Sequence, residues 1–166
     1  AFAMGHVILK TFHVDRQEPY FLNYMRKYTD SPFLVSLEDH GDGTYTPGKF
    51  LTASNVSDPA LKNSPNATHR LLMMQKDGTI VDPGGTLADR FTPEGEGRWN
   101  LLMEGVDAIM SIDDLSGQRE VLPTEVLLPR FDLPASETPT GSVGGGVVHR
   151  GVPATRLADG RLVTTV

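Results

Sequence analysis

Apolar side chains recur at helical spacing as far as Tyr28, and after Pro32 the period shortens to two. In AFAMGHVILKTFHV, residues 1–14, Phe2, Met4, Val7, Ile8, Leu9, Phe12 and Val14 supply the apolar positions of one helix. The next stretch, DRQEPYFLNYMRKYTDSP, carries Tyr20, Phe21, Tyr24, Met25 and Tyr28 on a broad stripe, with Pro19 in a first turn that tolerates a missing N–H. Asp30-Ser31-Pro32 ends this second helix, because a residue preceding proline is driven out of the helical region. Such an aromatic stripe reads as a packing face rather than a stacking platform for a ligand.

Phe33, Val35 and Leu37 then point one way and Leu34, Ser36 and Glu38 the other, the pattern of a half-buried strand. A turn is expected at His40-Gly41-Asp42-Gly43. Asp-Gly recurs at Asp77-Gly78, between Leu71–Lys76 and Thr79–Val81, and at Asp159-Gly160, between Thr155–Ala158 and Arg161–Val166. Each reads as a hairpin with a type I′ turn, since Asp tolerates positive φ and Gly adopts it without strain. Residues 54–68, 82–97 and 129–153 are weakly periodic, and the last is rich in proline and glycine.

The expected organisation is a single domain-sized α+β unit over residues 1–166. A helical pair spans 1–31, a β-rich part 32–128, a Pro/Gly-rich loop 129–153 and a C-terminal hairpin 154–166, the strands being antiparallel and joined by long irregular connections. The opening helix has no Ser, Thr, Asp or Asn ahead of it to cap its first N–H groups. LADGRLVTTV ends as a strand without a terminator. Both ends read as cut, with the first helix continuing upstream and a larger body covering it.

A net charge of −6 with no dense run of Lys and Arg argues against nonspecific nucleic-acid binding. The absence of cysteine excludes disulfides, thiolate nucleophiles and Cys-ligated metal within the chain. The apolar opening is too short to span a bilayer and lacks the charged start of a signal peptide. The sequons at Asn55 and Asn66 read as chance matches in polar loops.

Candidate chemistry is thin. GSVGGGVVHR, residues 141–150, lacks the Lys-Ser/Thr of a P-loop, and Gly144 and Gly146 lack the third glycine of a dinucleotide fingerprint. His6, His13, His40, His69 and His149 never fall four apart on one helical face, so they read as satisfied buried or interfacial histidines rather than metal ligands. Asp39–Gly43 has no downstream bidentate Glu and reads as a turn, Asp113 and Asp114 diverge as neighbours do, and Glu94-Gly-Glu96 ahead of Arg98-Trp99 reads as a solvated loop. No catalytic, cofactor-binding or metal-ligating residue is assigned from the residues.

Read as continuous text, AFAMGHVILKTFHVDRQEPYFLNYMRKYTDSPFLVSLE resembles the catalytic (alpha) subunits of membrane-bound respiratory nitrate reductases, in the molybdopterin oxidoreductase superfamily. Met4–Phe12, Tyr20–Asp30 and Phe33–Glu38 carry the likeness. It returns at TYTPGKFLTASNV, at Arg98-Trp99-Asn100-Leu101 and in LADGRLVTTV, and it covers the chain as an internal fragment of a much longer subunit. The resemblance implies a parent that reduces nitrate to nitrite at a molybdenum bis(molybdopterin guanine dinucleotide) centre, with a 4Fe-4S cluster. It further implies an iron–sulfur beta subunit and a haem-b gamma subunit as partners, at the cytoplasmic face of the cell membrane. None of the family's ligand segments matches a residue here, so the fragment itself is expected to hold no cofactor, to be inactive alone and to self-associate through its helices. The alternative expectation is a stand-alone binding module.

Overall fold

The computed structural model describes residues 2–16, 18–90, 92–93, 100–115, 117–129 and 146–166. Helix α1 (Phe2–Leu9) passes directly into a wider, π-helical turn at Lys10–Asp15, and helix α2 (Pro19–Tyr28) follows after a reversal. The reversal is tied by the Glu18 N–H donating to the Phe12 carbonyl at 2.9 Å. Pro19 occupies the first turn of α2, and Thr29 closes the helix by donating both its N–H and its hydroxyl to the Met25 carbonyl.

Strands β1 (Leu34–Asp39) and β2 (Thr44–Phe50) form the first hairpin. After a short helix α3 (Pro59–Lys62), capped by the Asp58 carboxylate, comes a small hairpin of β3 (Met73–Met74) and β4 (Ile80–Val81). Strands β5 (Leu122–Pro129), β6 (Gly146–Arg156) and β7 (Leu162–Thr165) complete a closed barrel in the order β1-β2-β5-β6-β7. The α+β class and the N-terminal helical pair match expectation. Closure of the barrel does not follow from the local pattern.

Three local readings are corrected. Not every strand pair is antiparallel: β2 and β5 run parallel, pairing Thr44 with Glu125 and Tyr45 with Val126, so residues 51–121 form a crossover connection. The stretch read as loop to Pro153 is strand from Gly146, because its awkward residues fall where a ladder tolerates them. Gly151, at φ +73°, is the extra residue of a bulge between the Thr124–Val152 and Glu125–Arg150 pairs, and Pro153 lies opposite Pro123. Residues 130–145, the rest of that stretch, lie outside the described residues.

The turns are not type I′ either. Among the described residues Asn66 is the only non-glycine with positive φ, so Asp42, Asp77 and Asp159 keep negative φ. Gly78 and Gly160, at φ +80° and +89°, close three-residue loops in which the glycine N–H donates three residues back, to the Gln75 and Leu157 carbonyls. Each preceding Asp acts through its side chain, accepting the N–H of Thr79 or Arg161 two residues on.

Two apolar cores share the barrel wall. Inside lie Leu37, Tyr45, Leu122, Val126, Ala154 and Leu162, drawn from all five strands. Outside, Leu34 of β1 and Val163 of β7 pack with Leu51, Leu72, Met74, Ile109 and Ile112 of the crossover. Strand β1 is therefore buried on both faces at its start, where simple alternation predicts one. A backbone ring joins the layers: Leu34 N–H donates to Leu72 C=O (3.0 Å), Leu72 N–H to Leu51 C=O (3.1 Å), and Leu51 N–H to Leu34 C=O (2.8 Å). All three leucine side chains are 0–1% exposed.

Replacing one of these side chains opens a cavity in a region that has no room to collapse. Leu72→Ala is expected to lower unfolding stability by about 3 kcal/mol, read from the urea midpoint, without loss of the folded baseline. A loss below 1 kcal/mol would mean that the crossover layer is not packed as described.

Candidate functional site

The residues singled out in the sequence are scattered. His6, His40, His69 and His149 are exposed and His13 is half-buried, so of their reading as satisfied buried or interfacial histidines the buried alternative is corrected. His69 Nδ1 pairs with the Thr68 hydroxyl at 2.9 Å, whereas His13 Nδ1 is closed off from water with no partner. Asp113 and Asp114 serve a 3₁₀ turn: Asp114 accepts the N–H groups of Met110 and Ser111, and the Ser111 hydroxyl accepts the N–H of Asp113. Asn55 accepts from the Thr52 hydroxyl at 2.6 Å and Asn66 donates to the Ala88 carbonyl, so both sequon asparagines hold loops together. Glu94–Trp99 and Gly141–Gly145 lie outside the described residues.

The strongest charged assembly is one the sequence pattern does not reveal. Arg70 pairs with Asp82 and, at 2.8 Å, with Asp89, all three side chains being 13–19% exposed. Burial alone would push the Arg70 guanidinium down, but the hydrogen bond and charge of Asp82, then those of Asp89, more than offset it and hold its pKa above the ordinary value. The carboxylates are themselves anchored: Asp82 accepts from Gly84 N–H at 3.1 Å and Asp89 from Gly85 N–H at 2.9 Å. Gly85 sits at φ +69° where a Cβ would come within 2.3 Å of the Asn100 carbonyl oxygen. With Arg70 Nε also donating to the Pro65 carbonyl at 2.7 Å, each guanidinium nitrogen has a partner inside the chain, and this clamp fastens the crossover rather than binding a ligand. Its signal was absent because the partners lie 12 and 19 residues from Arg70, a separation set by the fold; residues 82–97 read only as weakly periodic.

A cleft of about 290 Å³ lies between α3, β4 and the β6–β7 turn, floored by Val56, Leu61, Ile80 and Leu157. Its rim charges are also engaged. Arg119 donates to the Gly78 carbonyl at 2.7 Å, Asp58 accepts the Ala60 N–H at 2.8 Å, and Asp159 accepts from Arg161 Nε at 2.9 Å. Among the described residues no group of three or more His, Cys, Asp or Glu side chains is gathered as a ligand set, and no helix is long and apolar enough to cross a membrane.

The surface with unused capacity is the helical hairpin. No residue of the π-turn or of α2 is buried, and Met4, Val7 and Tyr20 are 70%, 60% and 85% exposed. The tyrosine stripe is therefore not core within this chain, against its sequence reading: amphipathicity specifies an apolar face but not what covers it. Within the hairpin the Phe12 and Phe21 rings lie with centroids 6.4 Å apart, beside the Glu18–Phe12 backbone bond.

A small barrel with a buttressing layer, a largely buried ion clamp and an uncovered apolar hairpin defines a packing unit rather than a reaction site. No protein-family model matches the chain. It is 41% identical over 170 residues to the nitrate reductase alpha subunit of Mycobacterium tuberculosis, covering 100% of this chain and 13% of that protein. It is 40% identical over 133 residues to the respiratory nitrate reductase 2 alpha chain of Escherichia coli, covering 79% of this chain and 10% of that one. The nitrate reductase alpha chain of Bacillus subtilis is 30% identical over 177 residues, again covering 100% of this chain and 13% of its own length. The chain is thus a homologue of a segment of nitrate reductase alpha subunits, and spans about an eighth of the length of the curated relatives it matches.

Two outcomes test the site geometry. Arg70→Ala leaves two facing carboxylates without their cation and is expected to lower stability by roughly 2 kcal/mol, below the range for fully buried pairs because the group retains some solvent; Asp82→Asn should cost less, since Asp89 still pairs. The second concerns acid. The Arg161 side chain holds the Asp159 carboxyl below its ordinary pKa, and the Thr44 and Thr79 hydroxyls do the same for Asp42 and Asp77. A carboxyl depressed in the folded state stabilises it above the unfolded pKa, near 4, and that contribution is lost as pH falls through the folded value. Urea midpoints should be level from neutrality to about pH 5 and fall below about pH 4, with a shallower acid slope in Asp159→Asn.

Proposed function

We propose that this chain is a structural segment of the catalytic subunit of a quinol-linked respiratory nitrate reductase, which reduces nitrate to nitrite at a molybdenum bis(molybdopterin guanine dinucleotide) centre in anaerobic respiration. The carrying observation is similarity from end to end, at 41% identity, to a nitrate reductase alpha subunit. In this reading the segment supplies shape and contact surface. The chain has no cysteine to ligate a 4Fe-4S cluster, and among the described residues no group of three or more His, Cys, Asp or Glu side chains is gathered; in this reading no step of the reaction is assigned to them. Both groups belong to the remainder of the alpha subunit. The iron–sulfur beta subunit and the haem-b gamma subunit complete the assembly and attach it to the cytoplasmic face of the membrane.

The isolated chain has no body to cover α1 and α2, and in this reading it self-associates through them. Light scattering tests that directly: a species larger than a monomer that binds an apolar dye is the expected result.

The deciding experiment compares the full-length parent, the parent lacking this segment, and residues 1–166 alone, measuring molybdenum content and nitrate reduction with reduced viologen. Molybdenum and activity are expected in the intact parent and in neither of the others. A parent no longer than this chain and free of molybdenum would overturn the enzyme reading and leave a stand-alone binding module, which the uncovered hairpin would then serve.

A further inference from the structure

We propose that the Asp42-Gly43 step, in the turn between β1 and β2, is a modification site, the place where this chain converts an aspartyl link into an isoaspartyl one. The sequence has three such steps, at Asp42-Gly43, Asp77-Gly78 and Asp159-Gly160. In each, glycine has no Cβ to hinder the approach of its backbone nitrogen to the aspartate Cγ. Attack there forms an N–Cγ bond and expels a carboxyl oxygen as water, which leaves a five-membered succinimide. Water then adds at the former main-chain carbonyl, whose bond to the glycine nitrogen breaks. The chain now runs through Cγ, and the main-chain carboxyl is the free one. The water lost in the first step is regained in the second, so the conversion needs no oxidant, reductant or group donor.

The fold separates the three steps by what it does with the attacking nitrogen. Gly78 N–H donates to the Gln75 carbonyl and Gly160 N–H to the Leu157 carbonyl, each at 2.9 Å, so neither can attack without stranding the group that holds it. Gly43 N–H donates to no group among the described residues. Space agrees with this. A Cβ at Gly78 would come within 3.2 Å of Arg119 Cγ, whereas one at Gly43 would meet nothing within 4 Å, and both Asp42 and Gly43 are exposed to water.

The carboxylates do not account for the difference. Asp42 accepts the Thr44 N–H at 2.9 Å and the Thr44 hydroxyl at 2.6 Å, and Thr79 holds Asp77 at the same two distances. These two steps are a matched pair that differs in the glycine. The Asp159 carboxylate is committed further, to Arg161 Nε at 2.9 Å.

The position couples the modification to the barrel. Thr44 opens β2 and, with Tyr45, is paired across the parallel seam to Glu125 and Val126 of β5. An isoaspartyl link adds a methylene to the main chain two residues before Thr44 and removes the side-chain carboxylate that fixes its N–H. The seam is then the first part of the barrel to loosen, while the Val35–Phe50 end of the β1–β2 ladder is untouched.

The test ages the full-length protein at neutral pH, folded and in parallel in urea, and maps isoaspartate by electron-transfer mass spectrometry. In urea, with the turns gone, the three steps are expected to isomerise at similar rates. In the folded protein isoaspartate is expected to accumulate several-fold faster at Asp42 than at Asp77 or Asp159. Equal rates at all three in the folded protein, a faster rate at Asp77 or Asp159, or no reaction at Asp42 while the urea sample reacts would overturn the proposal. Asp42→Glu, which would need a six-membered ring, is expected to abolish most of the methyl acceptance measured with an isoaspartyl methyltransferase; full acceptance in that variant would place the site elsewhere. Hydrogen exchange on the aged fraction reads the coupling: faster exchange at Thr44, Tyr45 and Val126 is expected, and unchanged exchange there would refute the effect on the seam.

Discussion

Three leucines carry the architecture. The ring of backbone hydrogen bonds through Leu34, Leu51 and Leu72 binds the entry of β1, the exit of β2 and the middle of the crossover at one point, under side chains that water does not reach. A buried backbone group without a partner is costly, so none of the three segments can withdraw without stranding a donor on one neighbour and an acceptor on the other. The barrel interior, the outer leucine and isoleucine layer and the Arg70 clamp all lie on segments that this ring positions.

Within the barrel and its buttress, the polar groups that matter are matched locally. The Asp-Gly turns use their carboxylates on their own backbone, the clamp carboxylates use glycine N–H groups, and Arg119 spans two loops through carbonyls. The hairpin breaks this rule: its apolar stripes are uncovered and its two sealed nitrogens, His13 Nδ1 and Arg26 Nε, lack partners. Among the described residues the Thr86 hydroxyl, in the crossover, is the one other buried side-chain group without a partner.

Features fixed by neighbours in sequence were legible. Pro19 and the Asp30-Ser31-Pro32 stop delimit α2, and three Asp-Gly pairs mark three hairpins, although the geometry of their turns differs because the Asp side chain, not a positive φ, does the work. Features fixed across the fold were not. Strand β6 hides behind Gly151 and Pro153, whose fitness for a strand depends on a bulge and on Pro123 opposite. Arg70 looks like any surface arginine until the crossover brings Asp82 and Asp89 to it. The family resemblance carried by residues 4–38 named a relationship that no local pattern could.

The parallel seam between β2 and β5 has a consequence in time. Hairpins β1–β2, β3–β4 and β6–β7 close over a few residues and form on the microsecond scale, but the seam must wait for a long crossover to be drawn in, and β1 finds its second neighbour only in Leu162–Thr165. A ribosome delivering this stretch therefore exposes Leu34 and Leu51 long before Val163 arrives to cover them. The barrel is a structure whose first strand is held open until its last one is made, and the interval between the two is when this part of the polypeptide is most exposed to aggregation and most in need of a chaperone.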